Sequence, residues 1–129
     1  MIFIDASFVI GLISPKDQWH NQAKKIYQDI KDQETVISNV ILTETINSIK
    51  LFGGKVGEAV YKTLKDQNKI IYLNNAKIFD NAMKTYLKFD GTIGFSDCTT
   101  IELMKELEIY EIVSFDSDFD KVEKIIRIH

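Results

Sequence analysis

Several acidic residues of this chain stand where solubility does not call for them. Asp5 interrupts an otherwise apolar opening, MIFIDASFVI, where a charge is rarely present only to keep a surface wet. Glu44 lies among apolar neighbours in VILTETINSI, Asp97 lies in GFSDCTTIELMKE, and Asp116, Asp118 and Asp120 alternate in FDSDFD. Carboxylates gathered at one place repel one another unless protons or cations neutralise them. An all-oxygen ligand set suits hard divalent ions, Mg2+ or Mn2+. Two such ions roughly 4 Å apart activate water and stabilise the leaving oxygen of a phosphodiester. The chain has 2 His, His20 and the terminal His129, neither near a second ligand at a zinc-like spacing. Zinc binding and catalysis by a His pair are therefore disfavoured. Bland roles compete for each acid. Glu44 could be an exposed helical glutamate, Asp97 an acid favoured by a helix macrodipole, and the FDSDFD aspartates turn and cap residues.

Whether these acids meet depends on the elements that carry them. Met1 to Asp5 predicts a strand buried on both faces, as in a parallel sheet. Ser7 to Ile13 predicts a short helix stopped at Ser14-Pro15. Trp19, Ala23, Ile26, Tyr27 and Ile30 recur at helical spacing between about Asp17 and Lys31. Thr35 to Ser38 is a β-branched second strand, followed by a helix capped by Asn39 and running through Leu51. Gly53-Gly54 breaks the chain before a helix from Lys55 to Gln67. Ile70 to Leu73 is a third strand, and Asn74 or Asn75 caps a helix to about Phe89. After a loop at Asp90-Gly91 and Gly94, Ser96 is expected to cap a helix from Asp97 to about Leu107. Ile109 to Phe115 is a fourth strand, Asp116 to Val122 a turn with a short helix, and Ile125 to Ile128 a fifth strand. Strands alternating with helices imply α/β architecture with right-handed crossovers. In such sheets ligands bind beyond the carboxyl ends of the strands, where the strand order reverses. Asp5, Glu44, Asp97 and Asp116 can all project toward that edge.

The 129 residues make one domain, residues 1–129, with no linker, repeat or low-complexity tract. The single Cys98 excludes an internal disulfide and fits a reducing cytoplasm. No apolar run reaches the roughly 18 residues of a membrane span, and the N-terminus lacks the basic start of a signal peptide. The net charge of -3 argues against a protein that coats nucleic acid with basic residues. Carboxylates that hold cations count as negative in that sum, however, and bound metal reverses their local effect.

Taken in order, IDASFVIGL, Glu44 after the second strand, GFSDCTTIELMKE and IVSFDSDFD resemble the PIN domain over the whole chain. The size is similar to that of the VapC-type toxins within that family. The resemblance implies a three-layer α/β/α fold with a five-stranded parallel sheet of order 3-2-1-4-5. It implies that Asp5, Glu44, Asp97 and Asp116 are the catalytic and metal-binding acids for Mg2+ or Mn2+. Ser7 and Ser114 would orient Asp5 and Asp116, Ser114 standing where the family often has Thr, and Asp118 would assist directly or through water. The implied activity is endonucleolytic cleavage of RNA by metal-activated water, with a small antitoxin inserting a segment into the groove. A free-standing RNA-processing enzyme and a silent RNA- or protein-binding module are the alternatives.

Other α/β readings fit less well. A haloacid-dehalogenase-like phosphatase wants a second Asp where Ser7 stands, and a receiver domain wants a phosphoacceptor Asp where the third strand runs into Leu73-Asn74-Asn75. No Gly-rich phosphate loop follows the first strand. Trp19 and Cys98 are expected to pack, and the lysines from Lys50 to Lys69 to form a solvated face. An apolar surplus at Ile10, Leu12, Ile13 and Trp19, and at Leu51, Phe52, Val56, Val60 and Tyr61, predicts a homodimer.

Overall fold

A computed structural model describes all residues, Met1–His129. Five strands, β1 (Ile2–Ile4), β2 (Thr35–Ser38), β3 (Lys69–Ile71), β4 (Glu111–Val113) and β5 (Ile126–Ile128), form one sheet of order β3-β2-β1-β4-β5. Every pairing is parallel. The expected order is thus observed. Its physical basis is the composition of the central strands: Phe3, Ile37, Ile112 and Val113 are fully buried, so these strands need cover on both faces.

Six helices supply that cover: α1 (Ala6–Ile13), α2 (His20–Ile30), α3 (Asn39–Ser48), α4 (Gly54–Gln67), α5 (Ala76–Lys88) and α6 (Phe95–Leu107). The sheet grows from β1 through β2 to β3, then returns to the other side of β1 for β4. Right-handed crossovers in opposite directions place α1 to α4 on one face and α5 with α6 on the other. The packing of α1 on α2 and α3, and of α5 on α6, agrees with that division. Ile101, Leu103 and Met104 of α6 and Ile41 of α3 are buried in the core that these layers enclose. No helix is long and apolar enough to cross a membrane.

Some boundaries differ from the sequence expectation. Ser38, not Asn39, caps α3: its Oγ accepts from the Ile41 amide at 3.2 Å. Asn39 turns its side chain to the chain beyond β3, where its Oδ1 accepts from the Leu73 amide at 2.8 Å. Ser96 is likewise not a cap; Gly94 is, without a side-chain bond, and Ser96 and Asp97 both lie in the first turn of α6. The helix expected to reach Leu51 stops at Ser48, and Lys50–Phe52 form a 3-10 turn. Gly53 then takes φ +92, a conformation that side-chain-bearing residues rarely adopt, and so ends that turn. Asn75 rather than Asn74 caps α5. Strands β3 and β4 are shorter than expected because pairing stops where the chain leaves the sheet edge toward Asn39 and toward Asp116.

Candidate active site

Strands β1 and β4 are neighbours across the point where the strand order reverses, with Ile4 opposite Val113. The residues following them therefore emerge side by side. Asp5 extends the ladder by one bond, from its amide to the Val113 carbonyl at 3.0 Å. Its side chain is buried. Two hydroxyls hold its Oδ2: Ser7 Oγ donates at 2.7 Å and Ser114 Oγ at 2.7 Å. Each serine also accepts from the β4 exit, Ser7 from the Phe115 amide at 3.0 Å and Ser114 from the Asp116 amide at 3.0 Å. Two small hydroxyl residues thus tie Asp5 to the segment that carries Asp116.

The four acids expected from the sequence come together. Burial pushes the Asp5 carboxyl above its usual value, more than the Ser114, Ser7 and Ala6 hydrogen bonds pull it down, and the Asp116 charge adds to the rise. Glu44, in the second turn of α3, is raised by burial and then by the charges of Asp5 and Asp116. Asp97 is pushed up to about 8. Burial is the largest cause, followed by the charges of Asp5, Asp116 and Glu44, and by a hydrogen bond with Asp116. A first-turn position on a helix favours an anion, so burial and three like charges outweigh the α6 dipole here. At neutral pH the metal-free Asp97 carboxyl holds a proton that an ordinary carboxylate would have released.

Asp118 stands differently. Its side chain pairs with Lys121 at 2.8 Å, while its backbone amide donates to Asp116 Oδ1 at 2.9 Å. It thus supports Asp116 through the backbone, and its charge is not among those that raise Asp5, Glu44 or Asp97. Sequence reasoning passed over Arg127. This residue of β5 grips Asp120 with two bonds, 3.0 and 2.9 Å, and donates to the Ser114 carbonyl at 3.2 Å. A lone Arg between isoleucines in IIRIH was the only hint. Trp19 stacks on Phe115 with ring centroids 5.1 Å apart but stays exposed rather than entering the core.

Glu44 Oε2 is buried and has no hydrogen-bond partner, an arrangement that a cation or a proton would satisfy. No three of the acids stand close enough together to hold a metal ion by themselves. The oxygen-only donor set nevertheless fits a hard divalent ion such as Mg2+, which keeps several waters and needs few protein ligands.

Comparison with known proteins agrees with this architecture. The family model of the PIN domain matches residues 2–125. No curated protein matches by sequence. Among solved structures, the chain is similar to VapC20 from Mycobacterium tuberculosis, described as a sarcin-ricin loop cleaving toxin, at 25% identity and TM-score 0.83, with 94% of each chain covered. It is also similar in fold to a toxin-antitoxin complex from Klebsiella pneumoniae, at 14% identity and TM-score 0.75, covering 98% of this chain and 96% of the other. FitAcB from Neisseria gonorrhoeae aligns at 12% identity and TM-score 0.74, covering 100% of this chain and 97% of the other. With the family model spanning nearly its whole length, this chain belongs to the PIN domain family.

Proposed function

We propose that the chain is a Mg2+- or Mn2+-dependent endoribonuclease, the toxin of a VapBC-type toxin-antitoxin pair, with Asp5, Glu44, Asp97 and Asp116 as its metal-binding and catalytic acids. The observation that carries this reading is the gathering of the buried Asp5 and the half-buried Glu44, Asp97 and Asp116 at the carboxyl edge of the sheet, where burial and the neighbouring charges push Asp97 up to about 8. Such a cluster is costly for stability and useful for holding cations. Bound divalent ions would polarise the phosphodiester and lower the pKa of water. The chain's own residues have separate tasks. Ser7 and Ser114 hold Asp5 in one orientation through Oδ2. The Asp118 amide fixes Asp116 through Oδ1. Glu44, through its unpartnered Oε2, and Asp97, once it gives up its proton, would help to hold the cation. Burial keeps bulk water from screening these charges.

The relatives support the partner as well as the activity, since one comparison structure is a toxin-antitoxin complex. A mostly apolar groove of about 690 Å3 between α1, α2 and α4, lined by Phe8, Leu12, Tyr27 and Val60 among others, could receive a segment of a small antitoxin. The proposed setting is the cytoplasm.

The test is RNA cleavage with Mg2+ or Mn2+, with EDTA, and with Asp5→Asn. Cleavage is expected only with metal and the wild-type acid. The variant should remain folded, because it loses one of several mutually repelling carboxylates. Full activity of verified metal-free protein, or wild-type rates from Asp5→Asn, would overturn the assignment.

A further inference from the structure

A second, polar cleft of about 520 Å3 opens directly beside Glu44. Residues three or four apart share a helix face, so Asn39, Thr43 and Asn47 form one row on α3 and Glu44 and Ser48 the next. Ser96, from the first turn of α6, lines the same cleft. No Lys or Arg borders it, and Val40 is its one apolar residue. With no Lys or Arg in the lining, a phosphate finds no ionic side-chain partner here, and an apolar segment would strand the hydroxyls and amides. A neutral group rich in hydrogen-bonding edges suits this lining.

The internal bonds show what the cleft offers. Thr43 Oγ1 donates to the Asn39 carbonyl at 2.8 Å, and Ser48 Oγ donates to the Glu44 carbonyl at 2.8 Å. Both hydroxyl protons are therefore spent on the helix, and the oxygens remain as acceptors. The Asn39 amide is tied through both of its polar atoms to the Leu73 backbone. Asn47 is exposed, and its side chain forms no hydrogen bond within the protein. Its carboxamide presents a donor and an acceptor side by side, the pattern that pairs with the edge of a nucleobase. We propose that this cleft binds the base of the nucleotide flanking the scissile phosphodiester, with Asn47 as the residue that sets base preference and Thr43 and Ser48 accepting from an exocyclic amine or a 2′-hydroxyl. The assignment rests on the nuclease reading, because Glu44 is both a wall of the cleft and one of the metal-binding acids proposed above.

The test has two parts. Wild type, Asn47→Ala and Thr43→Ala are compared on an RNA library randomised around the cut, with Mg2+ or Mn2+ present. In parallel, 15N-labelled Asp5→Asn protein is titrated with short oligoribonucleotides of A, C, G or U while the Asn47 side-chain amide resonances are followed. Asn47→Ala is expected to keep cleaving, lose the preference at one flanking position, and fall on the order of ten-fold in kcat/KM for the preferred sequence, mainly through KM. The Asn47 amide should shift most with the preferred base. Unchanged base preference in both variants, or an Asn47 amide that stays still while other signals move, overturns this assignment and leaves the nuclease reading standing. Wild-type protein that neither cleaves nor binds any RNA overturns both.

Discussion

Replacing Asp97 by Asn tests the electrostatic argument without relying on any enzymatic assay. In the folded, metal-free protein the Asp97 carboxyl is raised from 3.8 to about 8. The folded state therefore keeps a proton that the unfolded chain releases. This contribution to stability is complete below the unfolded value, shrinks as pH climbs, and is lost once pH has passed through about 8. Inside that window the slope is about 1.4 kcal/mol per pH unit. Between pH 5.5 and 7.5 the wild type should lose up to about 2.7 kcal/mol by this slope, a ceiling because Asp97 is not fully buried. At about 4 °C per kcal/mol for a domain of this size, the melting temperature should fall by about 10 °C. The Asp97→Asn variant cannot make this proton exchange. Its side chain is neutral in the folded and the unfolded chain alike, so its melting temperature in EDTA should be higher at pH 7.5 and flatter with pH. The assay is thermal melting of both proteins in chelator across this range, repeated with Mn2+. The cation should restore the wild type by taking the proton's place and should do less for the variant. Parallel pH profiles for the two proteins would refute the claim that Asp97 is a strained member of a carboxylate cluster.

Ser114→Ala removes both the donor to Asp5 Oδ2 and the acceptor of the Asp116 amide. It should cost about 1–3 kcal/mol of stability and about 10- to 100-fold in metal affinity or cleavage, measured by denaturant unfolding and metal titration, whereas Ser114→Thr should keep most of both. Homodimerisation is expected through the exposed Leu51, Phe52, Val56 and Tyr61, because Ile10, Leu12, Ile13 and Val60 already pack against the core of the monomer. Sedimentation equilibrium at micromolar concentration should give about twice 14.9 kDa, and a single species at 14.9 kDa would dismiss it.

Much of the fold was legible in the chain. Apolar triplets such as IFI and β-branched TVIS cannot face water, so their alternation with amphipathic helices already implied a parallel sheet covered on both sides. Asp5 was legible for the same reason: a carboxylate at the end of a buried strand demands an explanation. Helix caps were less legible, because Ser38 and Asn39 are both good N-caps by type. Only the nearby Leu73 amide, supplied by the exit from β3, drew Asn39 away from that role.

The strength of the site could not be read from residue order. Glu44 and Asp97 look like ordinary helical acids, and what sets them apart is burial against Asp5 and Asp116, which the return of the chain from β3 to β4 brings about. Asp118 and Asp116 are indistinguishable in FDSDFD, yet one pairs with Lys121 while the other lies in the cluster. Arg127, Thr43 and Asn47 carried no signal in the sequence beyond their polarity, and Asn39 signalled only a helix cap. Composition and periodicity govern local structure because they act through neighbouring residues. Desolvation and charge coupling depend on distances between segments far apart in the chain, so they exist only once the sheet has closed around them.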